Sequence, residues 1–171
     1  MIKTPKKIGA ILLSMGGVGY SPVAPGTVGS LVSIPLLLLL RYALQSVLWF
    51  PPLGIIFLFG FFALLTMVAC LAIRETVTDG MYDKQWIVLD EFLGMAIALS
   101  PIFFMETAQP VVIIAGFILF RIFDIWKPLG IRRIDAMNTP VSVILDDIVA
   151  GALTLLCLYL AALFLVSRLH G

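Results

Sequence analysis

The sequence predicts an all-α integral membrane protein, and its composition is the main evidence. Hydrophobic residues make up 61% of the chain and charged residues only 12%, and the mean hydropathy is +1.13. A soluble domain has roughly 25% charged residues, so this chain is too apolar to be one. Most of its 171 residues are needed for apolar helices. We therefore expect a single membrane-embedded domain over residues 1–171 and no separate soluble domain.

Five long apolar segments predict about five transmembrane helices, because a helix needs about 20 apolar residues to cross the hydrocarbon core. The segments cover residues 28–48, 53–73, 86–105, 111–126 and 141–166. Pro51 and Pro52 precede the second segment, Pro101 lies near the end of the third, and Pro128 stops the fourth. The fifth segment is long enough to tilt in the membrane.

A short apolar stretch, residues 8–13, follows three lysines at the start of the chain. This pattern imitates a signal peptide, but the apolar part is short and continues directly into a glycine-rich segment. A helix of this length is also too short to cross the hydrocarbon core. We expect an interfacial or re-entrant N-terminal helix ahead of the spans.

The predicted topology gathers the charged residues on one membrane face. Short loops join antiparallel helices, so the starts of the odd-numbered spans and the ends of the even-numbered spans share that face. Nine of the eleven Lys and Arg residues fall there, all except Arg41 and Arg168, and so do nine of the ten carboxylates, all except Glu106. The positive-inside rule predicts that this face is cytoplasmic. The net charge of +1 argues against nucleic acid as a partner.

Carboxylates from three predicted spans converge on this face, and they lie at or inside apolar stretches. They are Asp90, Glu91, Asp124, Asp146 and Asp147. Two unit charges about 5 Å apart repel by about 3 kcal/mol at an effective dielectric near 20, so the carboxylates would become protonated or separate unless a cation held them. Oxygen ligands without His or Cys favour Mg²⁺, Mn²⁺ or Ca²⁺. The simpler interpretation is that each carboxylate caps a helix start or gains about 0.3–1 kcal/mol from its dipole.

The fourth predicted span carries Arg121, Asp124 and Lys127 along one stripe, at positions i, i+3 and i+6. Two cations flanking a carboxylate suit a phosphate that bridges a metal and the protein. An internal ladder of salt bridges explains the same spacing equally well. Arg132 and Arg133 lie just beyond the span and suit anionic lipid headgroups or the head of a lipid substrate.

A glycine- and proline-rich segment, residues 16–27, leads into the first span. Free backbone N–H groups at a helix start, with Thr27 or Ser30 as N-cap, form a natural phosphate cradle. We expect Ser21, Gly26 and Thr27 to contact a phosphate group there. A turn of this composition at a membrane boundary is also common for structural reasons alone.

Four segments resemble, in order, the motifs of the bacterial phosphatidylglycerophosphatase A family. They are SPVAPGTVGS at 21–30, IVLDEFLG at 87–94 with Asp83 ahead of it, FRIFDIWKP at 120–128, and DDIVAG at 146–151. The resemblance implies a multi-pass, Mg²⁺-dependent phosphatase of the bacterial inner membrane, with phosphatidylglycerophosphate as substrate and phosphatidylglycerol as product. One departure concerns residues 138–143, NTPVSV, where the family usually has a glycine-rich stretch that is a candidate for substrate contact.

The residues and the resemblance together give a mechanistic hypothesis. The expected Mg²⁺ ligands are Asp90, Glu91, Asp146 and Asp147. Arg121 and Lys127 bind the substrate phosphate, with Arg132 near the lipid head. Asp124 is the candidate general base for an attacking water, and a direct aspartyl nucleophile is the alternative.

Two rival functions belong to other classes. A small cation channel or carrier also has acidic residues within spans, but it predicts them throughout the membrane depth. A CDP-alcohol phosphatidyltransferase also uses Mg²⁺ and carboxylates, but its long Asp- and Gly-containing signature is missing from this sequence. A purely structural membrane protein leaves the convergence of charge unexplained. The sequence gives no indication of oligomeric state.

Overall fold

The structure, a computed structural model, describes residues 4–45, 51–105 and 110–169. Over these ranges it contains seven α-helices and no strand, which confirms the all-α prediction. The helices are α1 (Thr4–Leu13), α2 (Pro25–Ala43), α3 (Pro51–Thr76), α4 (Leu89–Ala98), α5 (Pro110–Trp126), α6 (Ile131–Asp135) and α7 (Ser142–Leu169). Short 3₁₀ helices cover Val18–Tyr20 and Ser100–Phe103.

Within the described ranges, three helices are long and apolar enough to cross a membrane: α2, α3 from Leu53, and α7 as far as Arg168. They match the first, second and fifth predicted spans. Residues 46–48 of the first predicted span lie outside the described residues, and so does Glu106, the one carboxylate predicted on the opposite membrane face. Helix α5 begins and ends within one residue of the predicted fourth span. The chain is thus a membrane protein. The count of about five spans and the membrane position of α1 stay predictions.

The third predicted span, residues 86–105, is not one continuous helix. Helix α4 has only ten residues, about 15 Å at 1.5 Å per residue, which is half of the hydrocarbon thickness. A 3₁₀ helix follows it. The segment is apolar because other helices surround it, with eight of the ten residues of α4 buried. Burial inside a protein and burial in lipid give the same apolar sequence.

Two glycines let α4 and α7 pack with their backbones in contact. A Cβ atom at Gly151 would overlap the carbonyl group of Gly94, and one at Gly94 would overlap the ring of Phe120 and the carbonyl oxygen of Asp147. Phe120 is itself fully buried. This close approach places the first turn of α4 beside the start of α7.

The other end of the α4 segment is held by Arg41 from α2. Its Nε atom donates to the carbonyl oxygen of Ile102 and its Nη2 atom to that of Met105, both at 2.7 Å. Ile102 lies in the last turn of the 3₁₀ helix and Met105 just after it, where no regular helix continues to bond their carbonyls. The short helix is therefore fixed at both ends, by glycine packing and by an arginine.

Candidate active site

An acidic cavity of about 260 Å³ opens where the starts of α2, α4 and α7 meet the end of α5 and the loops beside them. Its charged lining residues are Asp83, Lys84, Asp90, Glu91, Arg121, Asp124, Lys127, Asp135, Asp146 and Asp147. Seven of these ten carry a carboxylate. Acidic side chains therefore outnumber basic ones in the cavity by seven to three.

Three of the carboxylates form a tight group. Asp90, Glu91 and Asp147 each offer an oxygen atom, and these atoms lie within 4.8 Å of one another. Asp90 and Glu91 occupy the first turn of α4, and Asp147 follows the start of α7. The glycine contact between the two helices brings the three together, as the sequence predicted for these residues.

The donor set of this group fits a hard divalent cation. Asp90 and Asp147 are only 8% and 4% exposed, so water screens the electrostatic repulsion between their carboxylates only weakly. Glu91 Oε2 is buried and has no hydrogen-bond partner among the described residues. An unpartnered buried carboxylate oxygen is costly unless a cation binds it. Three carboxylates with no nitrogen or sulfur ligand favour Mg²⁺, Mn²⁺ or Ca²⁺.

Asp146, the fourth predicted metal ligand, lies outside the tight group. Its Oδ2 atom accepts a hydrogen bond from Lys127 Nζ at 2.8 Å. Successive side chains on a helix point about 100° apart, so Asp146 and the adjacent Asp147 face different directions. Its Oδ1 atom is buried and has no hydrogen-bond partner in the part of the chain that is described. Asp146 therefore lines the cavity beside the tight group of three carboxylates, and its role as a metal ligand stays a prediction.

Arg121 and Asp124 form an ion pair, with Arg121 Nη1 at 2.6 Å from Asp124 Oδ2. Arg121 Nη1 also donates to Ser30 Oγ at 3.2 Å. This pair confirms one step of the salt-bridge ladder that the spacing allowed. The second step of the ladder would be an ion pair between Asp124 and Lys127. It is wrong, because Lys127 pairs with Asp135 and Asp146 instead.

Lys127 connects two carboxylates that are distant in sequence. Its Nζ atom lies 2.6 Å from Asp135 Oδ1 and 2.8 Å from Asp146 Oδ2. Burial lowers the pKa of Lys127, but the hydrogen bonds and charges of Asp135 and Asp146 outweigh it and raise the pKa above that of an ordinary lysine. The side chain stays protonated at neutral pH. Lys127 also has a φ of 48°, a strained conformation for a residue with a side chain.

Gly26 and Thr27 line the cavity at the start of α2. A Cβ atom at Gly26 would overlap Glu91 Oε1, so glycine leaves the space that this carboxylate occupies. The predicted cap is wrong: the N-cap is Ala24, with a φ of 43°. Ser30 instead donates to the carbonyl oxygen of Gly26 at 2.9 Å.

Two predicted contacts lie outside the cavity lining. Ser21 donates to the carbonyl oxygen of Val23 at 3.0 Å, and Arg132 is exposed on α6. Conversely, Asp135 lines the cavity although the sequence analysis did not single it out. Lys84 does so too, and its Nζ atom lies 2.6 Å from the exposed Asp79. Lys84 comes from a loop and Asp135 ends the five-residue helix α6, which is too short for periodicity to indicate which residues meet.

The unusual segment 138–143 links two loops near the cavity. Asn138 Oδ1 accepts from the backbone N–H of Tyr82 at 2.9 Å, and Asn138 Nδ2 donates to the carbonyl oxygen of Gly80 at 2.9 Å. Thr139 and Ser142 exchange side-chain and backbone hydrogen bonds at the start of α7. The side chains in this segment thus fix the loop that contains Asp83 and Lys84.

Comparison with known proteins identifies relatives. The chain matches the family described as Phosphatidylglycerophosphatase A over residues 11–162. It is 36% identical to Phosphatidylglycerophosphatase A of Escherichia coli over 155 residues, covering 86% of this chain and 80% of the relative. It is 34% identical to the Haemophilus influenzae protein of the same name, covering 82% and 80%. No solved structure matches the chain significantly.

A further relative has a different name. The chain is 32% identical to a Bacteroides thetaiotaomicron protein that is named provisionally as a phosphatidylinositol-3-phosphatase, with coverage of 94% of this chain and 97% of that protein. Both names describe enzymes that remove phosphate from a lipid. The membrane helices, the acidic cavity and these relatives define the class of protein as a membrane phosphatase. The chain belongs to the phosphatidylglycerophosphatase A family.

Proposed function

We propose that the chain hydrolyses the terminal phosphate of phosphatidylglycerophosphate to give phosphatidylglycerol. The observation that carries the proposal is the approach of the Asp90, Glu91 and Asp147 oxygen atoms to within 4.8 Å of one another, beside the cations Arg121 and Lys127. Two relatives are named for this activity, and they support the choice of substrate. The acidic residues gather at one end of the long helices, which favours an enzyme over an ion path through the membrane.

Asp90, Glu91 and Asp147 would hold Mg²⁺, because all three ligands are carboxylates from a buried group. When bound, Mg²⁺ neutralises the phosphoryl oxygens and lowers the pKa of water near the substrate. Removing it leaves like charges facing one another at close range, which raises the free energy of the folded state. The three carboxylates are therefore both the binding site and a source of repulsion that binding relieves.

The cations position the substrate phosphate. Arg121 and Lys127 line a cavity that has seven carboxylates. Together with Lys84, which pairs with Asp79, they are the groups that can attract a dianionic phosphate. Lys127 stays protonated, which excludes it as a general base and suits it to neutralise phosphate charge. Asp135 and Asp146 fix its Nζ atom on two sides.

Asp124 is the proposed general base. Its ion pair with Arg121 at 2.6 Å fixes the carboxylate at the cavity wall. Asp124 accepts a proton from a water molecule, whose oxygen forms a bond to phosphorus as the bond from phosphorus to the glycerol oxygen breaks. The glycerol oxygen then takes up a proton, and the products are inorganic phosphate and a lipid alcohol.

The site belongs at the boundary between lipid and water on the cytoplasmic side, since the positive-inside rule favours that face. There the acyl chains of the substrate remain in the leaflet while the phosphate reaches the carboxylates. Extraction of the lipid, at about 0.8 kcal/mol per CH₂ group, is avoided. Arg132, exposed outside the cavity, suits the anionic headgroups of surrounding lipid.

A second candidate substrate is phosphatidylinositol 3-phosphate. The Bacteroides thetaiotaomicron relative, which covers almost the whole chain, carries a provisional name for this activity. Both lipids present a phosphomonoester on a polyol head, so the same carboxylates and cations suit either one. The choice depends on the residues around the cavity mouth, including the loops that Asn138 links.

The test is phosphate release by the purified protein from phosphatidylglycerophosphate, phosphatidylinositol 3-phosphate and phosphatidate, each with Mg²⁺ and with EDTA. We expect the highest kcat/KM with phosphatidylglycerophosphate and no turnover with EDTA. A preference for the inositol lipid would select the second candidate. Absence of phosphate release from all three lipids, or full activity in EDTA, would overturn the proposal.

A further inference from the structure

The loop between α3 and α4 lines the outer part of the acidic cavity. Three consecutive residues of this loop, Asp83, Lys84 and Gln85, belong to the lining. Asp83 and Gln85 are exposed, and Lys84 is partly exposed. The carboxylates of Asp90 and Asp147 lie in the buried part of the same cavity. The loop therefore borders the part of the cavity that is open to the surroundings.

Contacts on both sides fix the backbone of this loop. Asn138 bonds to the first half of the loop through both atoms of its side-chain amide. At the other end, the ring of Trp86 stacks on that of Tyr20, with the ring centroids 6.1 Å apart. Within the loop, the backbone N–H of Ile87 donates to the carbonyl oxygen of Lys84 at 2.8 Å. The backbone of Lys84 thus has a defined position beside the cavity, and its side chain supplies a cation there.

The ion pair of Lys84 differs from those of Arg121 and Lys127, the other cations in the described part of the lining. Arg121 and Lys127 pair with carboxylates that themselves line the cavity. Lys84 pairs with Asp79, which is not among the lining residues and whose side chain is 56% exposed. An exposed ion pair between flexible side chains is weak, so an anion in the cavity competes readily for the lysine. Of the three cations, Lys84 is therefore the one most readily available to a second anionic group.

We propose that Lys84 binds the phosphodiester group of the lipid substrate while the phosphomonoester occupies the buried part of the cavity. Both candidate substrates contain a phosphodiester between the polyol head and the diacylglycerol, so this group lies outward of the monoester. It carries a single negative charge, which an ammonium group binds as a point charge. Lys84 thereby distinguishes these lipids from phosphatidate, whose only phosphate is the monoester. This inference rests on the proposed function, and it adds a binding site for the part of the head that the reaction leaves intact.

The kinetic test either removes the charge of Lys84 or frees the lysine from its partner. In neutral detergent without added lipid, Lys84→Gln should raise the KM for phosphatidylglycerophosphate about tenfold and leave kcat nearly unchanged, because the reacting phosphate keeps its contacts. Asp79→Asn should lower KM by about two- to threefold, since no carboxylate then competes for the lysine. The amide oxygen of the new side chain still accepts from the backbone N–H of Met81, as Asp79 Oδ1 does at 3.1 Å.

Two further variants complete the kinetic test. The double variant of Lys84→Gln and Asp79→Asn should match Lys84→Gln alone, and Arg74→Gln, which removes an exposed cation near the end of α3, should keep the original KM. If the ion pair only stabilises the loop, both single variants are impaired alike, and that result would overturn the inference. So would an effect of Lys84→Gln that appears only when phosphatidylglycerol vesicles are added, because the lysine would then bind surrounding lipid.

A binding measurement does not depend on turnover. Dihexanoyl phosphatidylglycerol, which has the phosphodiester alone, and inorganic phosphate are each titrated into the protein with Mg²⁺ by isothermal titration calorimetry. Lys84→Gln should weaken the binding of phosphatidylglycerol about tenfold and leave that of phosphate unchanged, and Arg74→Gln should bind both as the original protein does. Equal weakening of both ligands, unchanged binding of both, or no binding of phosphatidylglycerol by the original protein would overturn the inference. Absence of phosphate release together with the expected binding pattern would refute the proposed activity alone.

Discussion

Helices α3 and α4 are both apolar, but they are apolar for opposite reasons. In α3, 26 residues long, only 11% of the membrane-crossing window is buried inside the protein. In α4, eight of ten residues are buried. Helix α4 has two carboxylates in its first turn, whereas Glu75 of α3 is exposed near the helix end. The carboxylates proposed for the chemistry thus lie where two helices pack most closely, between α4 and α7.

The largest expected effect comes from removing one carboxylate charge on α4 or α7. Asp90→Asn and Asp147→Asn should each lower kcat/KM by about a thousandfold, because each loses a ligand of the proposed ion. In EDTA, both variants should have a Tm equal to or above that of the original protein, since a repulsive charge is gone. Phosphate release and thermal unfolding in detergent measure the two effects.

The matched control is Glu75→Gln on α3, which neutralises an exposed carboxylate. It should leave both activity and Tm unchanged. Near-normal turnover in both aspartate variants would remove the functional difference between the two helices.

Glycine positions give the next comparison. Gly26→Ala should lower activity by about a hundredfold, because the added methyl group overlaps Glu91 Oε1 and displaces a proposed ligand. Gly60→Ala on α3 meets nothing within 4 Å and should keep full activity. Alanine favours a helix over glycine by about 1 kcal/mol, so lower activity at Gly26 reports the site and not the helix. Equal activity in the two variants would contradict the account.

Lys127→Gln should lower kcat/KM about tenfold, since one of the positive charges proposed to attract the phosphate is lost. Its raised pKa fixes the pH dependence: the stabilisation from its ion pairs is complete below the pKa of an unfolded lysine, about 10.4, and is lost only as the pH rises through the higher folded value. The pH profile of kcat/KM between about pH 6 and 9 should therefore drop in height without changing shape. Arg74→Gln, exposed on α3, is the control. A new inflection in the Lys127→Gln profile would contradict a permanently charged lysine.

The smallest effect concerns stability. Gly94→Ala should lower the free energy of unfolding by about 1–3 kcal/mol, because the methyl group overlaps Phe120 and the backbone of α7. Gly60→Ala should preserve or slightly raise it. Thermal unfolding in one detergent compares the two, and equal Tm values would indicate that α4 and α7 are not in backbone contact.

The sequence predicts the long apolar helices well. Predicted and observed boundaries of α5 and of the start of α7 agree to within one residue, because long apolar segments are visible in the hydropathy of the sequence. Hydropathy does not predict the bounds of α4, because the apolar residues of this helix contact other parts of the protein. The Arg121–Asp124 pair follows from helical spacing. The contacts of Lys127 with Asp135 and Asp146 do not, because α6 and its loops bring them together.

Divalent-ion binding tests the central claim most directly, because it requires no substrate. Mn²⁺ is titrated into the detergent-solubilised protein and free ion is followed by electron paramagnetic resonance. The account predicts tight binding by the original protein and by Glu75→Gln, and binding weakened by at least about tenfold in Asp90→Asn and Asp147→Asn. Unchanged Mn²⁺ affinity in both aspartate variants would contradict it.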